Sequence, residues 1–263
     1  MSLTVNTNIE AMDAQRNLNN TENALAMSME RLSSGLRINS AADDVAGYAI
    51  DQQLQGQVNG LSQASQNSAD AVSLAQTAQG ALNEVEQMLQ RTRELAVEYA
   101  NGTNSATDKT AIENESTQLT EEIEKVGETT EFNEIKLLSG AAKEITFQVG
   151  ANEGETLGVK TVDLATDVAG VAISEIKTIE KAIEKVAASA SEFGAVQDRL
   201  QYTQTDLATY EQNLTAAQST IVDVNMAAEM TNYTKEQVLE QAGISVLAQA
   251  NSLPQAVLKL LEG

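Results

Sequence analysis

Adjacent carboxylates at Asp43-Asp44 and Glu121-Glu122 are the residues of this chain that come closest to an acid-base pair or a metal site. Neighbours on a helix point about 100° apart, so neither pair converges on one proton or one ion. Both read as solvated or ion-paired structural acids. With no Cys there is no thiolate nucleophile, disulfide or thiolate metal site, and with no His the commonest general base and metal ligand is gone. The stretch from Gly150 to Gly158 lacks the spacing of a phosphate-cradling loop and reads as part of a hairpin. Asn-x-Ser/Thr triplets such as Asn101-Gly102-Thr103 are too short to carry weight. No catalytic, cofactor-binding or metal site is assigned, and the chain is expected not to be an enzyme.

A chain without reactive residues must act through its surfaces, and composition says which elements make them. Aromatics supply 3% of the 263 residues, so Leu, Ile, Val, Met and Ala must be buried along extended seams. A single Pro, Pro254, leaves long helices uninterrupted. The net charge of -22, from 38 acidic and 16 basic residues, repels phosphates and anionic lipid and predicts a solvated acidic surface with neither nucleic acid nor membrane as partner. The N-terminus, MSLTVNTNIEAMDAQRNLNN, has no basic start and no apolar core of a signal peptide. No window approaches the roughly 18 apolar residues of a membrane span.

Periodicity places the helices. Phe193, Leu200, Leu207, Leu214 and Ile221 recur every seven residues, with Val196, Thr203, Tyr210, Ala217 and Val224 three behind each, and Ile176, Ile179, Ile183, Val186 and Ala190 extend the spacing upstream. Such a run predicts a long helix over about 174–224. Leu61, Val72, Ala75, Leu82, Val85, Leu89, Ala96 and Tyr99 form a second stripe that ends at Asn101-Gly102, and Ile112, Leu119, Ile123 and Val126 a third. Three helices can then share one seam. Between 132 and 170 the pattern changes: Ile145, Phe147 and Val149 alternate with polar residues, Ala151 to Gly154 reads as a turn, and Leu157 and Val159 alternate again. These predict a β-hairpin too small to stand alone, lying against the helices.

The termini carry two narrow stripes: Val5, Ile9, Met12, Leu25, Met29, Leu32 and Leu36, then Ala242, Val246, Leu253, Val257, Leu260 and Leu261. Periodicity leaves two readings open. Each stripe packs on the body of the protein, or the two pair with each other and with neighbouring copies. The expected fold is mainly α: an elongated antiparallel helical bundle or coiled coil, a small β-hairpin region, and paired N- and C-terminal helices.

Residues 31–47 read RLSSGLRINSAADDVAG, and this segment, with Arg31, Gly35, Arg37, Asn39, Asp43 and Asp44, resembles the hallmark segment of bacterial flagellins. The same family order continues through QTAQGALNEVEQMLQRTRELAVE (76–98), EFNEIKLLSG (131–140), FQVGA (147–151), GAVQDRL (194–200), NLTAAQSTIVDVNMAAEM (213–230) and SVLAQANSLPQAVLKLLEG (245–263). The resemblance implies a flagellar filament subunit for swimming motility. It implies a terminal domain, 1–43 with 225–263, as inner filament core. A helical bundle over 44–224, with the hairpin and no inserted outer domain, would form the surrounding layer.

The resemblance further implies a homopolymer of identical subunits, located at the flagellum and exported without a cleaved signal peptide through a type III pathway. It implies an export chaperone on the C-terminal segment, contacts with junction and cap proteins, and terminal segments that gain order on polymerisation. The family's Toll-like receptor patch corresponds to Arg91, Leu95 and Glu115, which can equally serve packing between subunits. Two positions depart from the family pattern: Glu134 stands where Gly usually follows Phe-Asn, and Thr220 where Arg usually precedes the Ile-x-Asp step. A hook-filament junction protein and a non-flagellar coiled-coil interaction module are the alternative readings. The strong match at 245–263 favours the filament subunit over the junction protein.

Overall fold

The computed structural model describes residues 7–140 and 143–261, with side chains described as far as residue 252. The chain is mainly α, as the seams predicted. Helix α1 spans Ile9–Ser34, α2 Val45–Tyr99, α3 Ala106–Thr129, α4 Leu164–Asp167, α5 Ile176–Val222 and α6 Met226–Leu261. Four short strands lie between α3 and α4: β1 Glu131–Phe132, β2 Ile135–Lys136, β3 Glu144–Gln148 and β4 Thr156–Lys160. The chain divides into two compact units, a terminal one of 1–55 with 214–263 and a central one of 56–213.

In the central unit α2, α3 and α5 share one core. Leu74, Leu82, Val85 and Leu89 of α2 are sealed against Ile123 of α3 and Val186, Phe193 and Leu200 of α5. Surface contacts fix the directions. Arg93 meets Glu180 at 2.9 Å, while Gly194 lies opposite Gln79, so α2 and α5 run antiparallel. Arg91 meets Glu115 at 2.8 Å and the Tyr99 hydroxyl donates to Glu113 at 2.7 Å, so α3 folds back along α2. A capping box starts α3: Ser105 accepts from the Asp108 backbone N–H while the Asp108 carboxylate accepts from the Ser105 N–H.

The predicted hairpin is present as β3 and β4, paired antiparallel with Ile145 opposite Val159 and Phe147 opposite Leu157. Leu157 and Val159 enter the helical core and Ile145, Phe147 and Val149 pack at its edge, which supplies the cover that two strands alone lack. Gly60 allows the close approach: a Cβ there would stand 3.0 Å from the Ala151 Cβ in the hairpin turn. A second, smaller hairpin joins β1 to β2 through Asn133 and Glu134, both in the left-handed region at φ 50° and 66°.

The α5 heptads are buried at Phe193, Val196, Leu200 and Leu207 but not throughout. Tyr210 is exposed, and Val224 lies past the helix end at Val222. A seven-residue repeat marks a face; what covers that face varies along the helix.

Candidate functional site

The terminal unit is built on the pairing of α1 with α6. Asn8 caps α1 by accepting from the Ala11 N–H, and its own amide donates to the Ala250 carbonyl at 2.8 Å. Leu18 lies against Gly243, and Ser28 against Glu229. Rising numbers on α1 meet falling numbers on α6, so the two helices run antiparallel, as expected of the N- and C-terminal helices.

The hallmark segment ends this pairing and turns the chain. Gly35 closes α1 at φ 76°, a left-handed conformation that suits Gly because it carries no Cβ, and its N–H donates to the Arg31 carbonyl. Backbone bonds then join the segment to the end of α5. Arg37 N–H donates to the Val222 carbonyl at 2.6 Å, Val224 N–H donates to the Gly35 carbonyl at 3.0 Å, and the Arg37 guanidinium donates to the Ile221 carbonyl. Asn39 donates from its side chain to the Leu36 carbonyl, and Ile38 is buried.

Asp43 and Asp44 lie in the turn before α2 rather than on a helix. One Asp43 oxygen accepts from the Asn39 and Ser40 N–H groups and the Ser40 hydroxyl, while Asp44 accepts from the Gly47 N–H. The Ser40 bonds hold the Asp43 carboxyl below the usual carboxylate range. Two carboxylates occupied with separate turns hold no shared proton. Among the described residues no cluster of acids could hold a metal ion, and no helix is long and apolar enough to cross a membrane.

Sequence reasoning did not single out Glu229, which is buried in the helix pair. It accepts from the Ser28 hydroxyl at 2.7 Å, and Arg31 approaches the same oxygen at 4.0 Å while its Nε is buried without a hydrogen-bond partner. The available signal was its setting: an acid within Met226-Ala-Ala-Glu-Met230, a stretch otherwise apolar.

The terminal stripes divide by exposure. Leu25, Leu32 and Leu36 are half-buried in the terminal unit, whereas Ile9 is 63% exposed, Met12 62% and Val246 58%. Val5 lies outside the described residues, as do the side chains of Leu253, Val257, Leu260 and Leu261. Among the described residues the central unit exposes four large apolar side chains, Val97, Ile135, Tyr202 and Tyr210, whereas the smaller terminal unit exposes twelve. That imbalance sets the terminal unit apart from the central one.

On the central unit, Arg91 and Glu115 come together at the surface, with Glu94 on the other side of the guanidinium at 3.1 Å. Bonds to Glu115, then to Glu94, push the Arg91 pKa up. Leu95 lies inward, 1% exposed.

Comparison with known proteins fits this arrangement at both ends. Residues 5–143 match the model of the bacterial flagellin N-terminal helical region, and residues 176–261 match that of the C-terminal helical region. The chain belongs to the bacterial flagellin family. It is 46% identical to a flagellin of Halalkalibacterium halodurans, over 98% of this chain and 99% of that protein, and 40% identical to a flagellin of Bacillus subtilis with the same coverage. The crystal structure of Bacillus cereus flagellin aligns with a TM-score of 0.51 at 30% identity, covering 58% of this chain and 94% of that one. This flagellin is a structural subunit of the flagellar filament, built of identical copies, and not an enzyme. The hairpin of β3 and β4 falls between the two matched regions.

Proposed function

We propose that the paired α1 and α6 form the inter-subunit packing surface of the filament and its inner layer, with the helical bundle and hairpin as the surrounding layer. The concentration of exposed apolar side chains on the terminal unit supports this reading, because an apolar surface shared with identical neighbours is removed from water on assembly. The hallmark residues Arg31, Gly35, Arg37, Asn39, Asp43 and Asp44 then act as the corner that sets the course of the chain out of α1. The test is reassembly. Heat- or acid-dissociated protein is returned to neutral pH with seeds and pelleted, beside variants lacking residues 1–40 or 226–263. Both deletions abolish pelleting while the central unit keeps its helicity; filaments from either variant overturn the assignment.

The same apolar surface bears on the subunit before assembly. An export chaperone covers the C-terminal stripe of Val246, Leu253, Val257, Leu260 and Leu261 in the cytoplasm, the chain leaves unfolded without a cleaved signal peptide, and junction and cap proteins meet the same terminal surface at the ends of the filament. Loss of chaperone capture on deletion of 226–263 tests the first step; unchanged capture overturns it. Arg91 and Glu115 serve a Toll-like receptor patch, supported by their pairing at the surface, with Leu95 buried beneath them as packing rather than as a contact. An R91A subunit with unchanged activity on receptor-bearing reporter cells removes that assignment.

A further inference from the structure

Asn-Gly occurs twice in the chain, at Asn59-Gly60 and at Asn101-Gly102, and the fold treats the two differently. We propose that Asn101 is a site of covalent self-modification, deamidation to aspartate and isoaspartate, and that the structure protects Asn59 from the same reaction.

The chemistry needs only water. The backbone nitrogen of the following residue loses its proton and attacks the Asn Cγ; the N–Cγ bond forms, the Cγ–Nδ2 bond breaks, and the amide nitrogen leaves as ammonia. Water then opens the resulting succinimide at either carbonyl, leaving an aspartate or an isoaspartate whose backbone runs through the former side chain. Glycine favours the first step because no Cβ hinders the attacking nitrogen. The attack also requires that the peptide be free to rotate out of a regular hydrogen-bonded conformation.

At Asn59 it is not free. Asn59 and Gly60 lie well inside α2, where helical dihedrals and the i to i-4 bonds fix the peptide. Gly60 is also packed against Ala151 of the hairpin turn, so rotation there would displace the hairpin. At Asn101 the helical ladder and the packing are absent, and the turn is held only by the Asn101 N–H on the Glu98 carbonyl at 3.0 Å and by a long bond from the Asn104 N–H to the Asn101 carbonyl at 3.4 Å. The residue follows the end of α2 and precedes α3, and Asn101, Gly102 and Thr103 are all exposed. Gly102 has open space around it, and its N–H donates no hydrogen bond among the described residues.

One contact favours the reaction. The Thr103 N–H reaches the Asn101 side-chain oxygen at 3.4 Å, a long bond that draws electron density from Cγ and holds the side chain along the Gly102 peptide. Neighbouring contacts then register the change. The Asn104 amide donates to the Glu98 carbonyl at 2.7 Å, and the Ser105 cap begins α3 directly after, so an isoaspartate would lengthen a link that both sides hold fixed. Each event also adds a negative charge to a chain already at -22.

The experiment incubates the soluble full chain in mildly alkaline buffer, digests it, and follows both peptides by mass spectrometry for the exchange of an amide NH2 for OH. The peptide of Asn101 converts while that of Asn59 keeps its amide, and in denaturant both convert at similar rates. The G102A variant is compatible with the fold, since Gly102 has open space and does not hold a left-handed φ, and it slows conversion at Asn101 by roughly an order of magnitude. Equal conversion of the two sites in folded protein, or an Asn101 as long-lived as Asn59, overturns the proposal.

Discussion

The turn between β1 and β2 holds Glu134 at φ 66°, beside Asn133 at φ 50°. A two-residue hairpin with both central residues left-handed is the arrangement that favours Asn-Gly, because a side chain in that region is crowded by the following carbonyl. Asn tolerates the position through its short polar side chain; Glu does not. The left-handed conformation costs a non-Gly residue about 1–2 kcal/mol. Changing Glu134 to Gly removes that cost and gives back about 0.4–1 kcal/mol through the greater freedom of Gly in the unfolded chain. The balance is a stabilisation of about 0.5–1 kcal/mol, or a rise of about 1–4 °C in the melting of a unit of this size. The assay is thermal unfolding followed by circular dichroism, with E134A as control. Alanine removes the same charge but keeps the Cβ, so it leaves the midpoint close to that of the parent. A midpoint for E134G at or below that of E134A would refute the reasoning.

Two more outcomes follow from individual contacts. The Asp108 carboxyl is held below its ordinary pKa by the Ser105 hydroxyl and N–H, and Glu155 likewise by the backbone N–H and side chain of Asn152. With folded pKa values below the unfolded ones, the unfolded chain binds more protons on acidification; the stabilisation is present above the unfolded carboxyl pKa of about 4 and is lost as pH falls through the folded values. Denaturant midpoints measured from about pH 6 to about pH 3 decline across that window, and S105A flattens the decline; an unchanged slope rejects the assignment. Val246→Ser should leave central-unit melting unchanged and raise the critical concentration for assembly about tenfold, equivalent to losing about 1.4 kcal/mol of burial per subunit. Seeded pelleting at graded concentrations reads it, and an unchanged threshold refutes it.

What the sequence made legible follows from how far each physical signal reaches. Alternation at Ile145, Phe147, Leu157 and Val159 has a period of two and a turn between, so both strands could be read, while the pairing of Ile145 with Val159 and Phe147 with Leu157 came from the backbone. The β1–β2 hairpin was not, because Asn133-Glu134 lacks the Gly that announces such a turn, and only the backbone reveals that Glu has been forced into it. Helix α4, Leu164–Asp167, is one turn long, too short for a helical period to repeat and so to signal it. The heptads of α5 gave the direction of the seam but not its limit, since Tyr210 keeps the spacing of a core residue and is exposed. Of the terminal stripes, spacing alone could not separate Leu25 and Leu32, half-buried, from Ile9 and Met12, left to solvent.

That separation bears on how assembly is specified. Buried apolar residues described in the terminal unit are few, Ala11, Ile38, Val222 and Ala250, so nonspecific burial alone defines its register weakly. Small, similar residues repeated along two helices allow sliding by a turn at little cost. The Ser28–Glu229 bond does not: a slip of one turn would strand a carboxylate among apolar side chains, with the desolvation penalty of an unpaired buried charge. Asn8 at one end and the Gly35–Val224 backbone bond at the other fix the same alignment from outside. Polar groups thus set the order of the helix pair, while the apolar side chains left over are free to meet neighbouring copies. Register and adhesion rest on different residues, which lets the exposed face stay apolar without leaving the fold of the pair undefined.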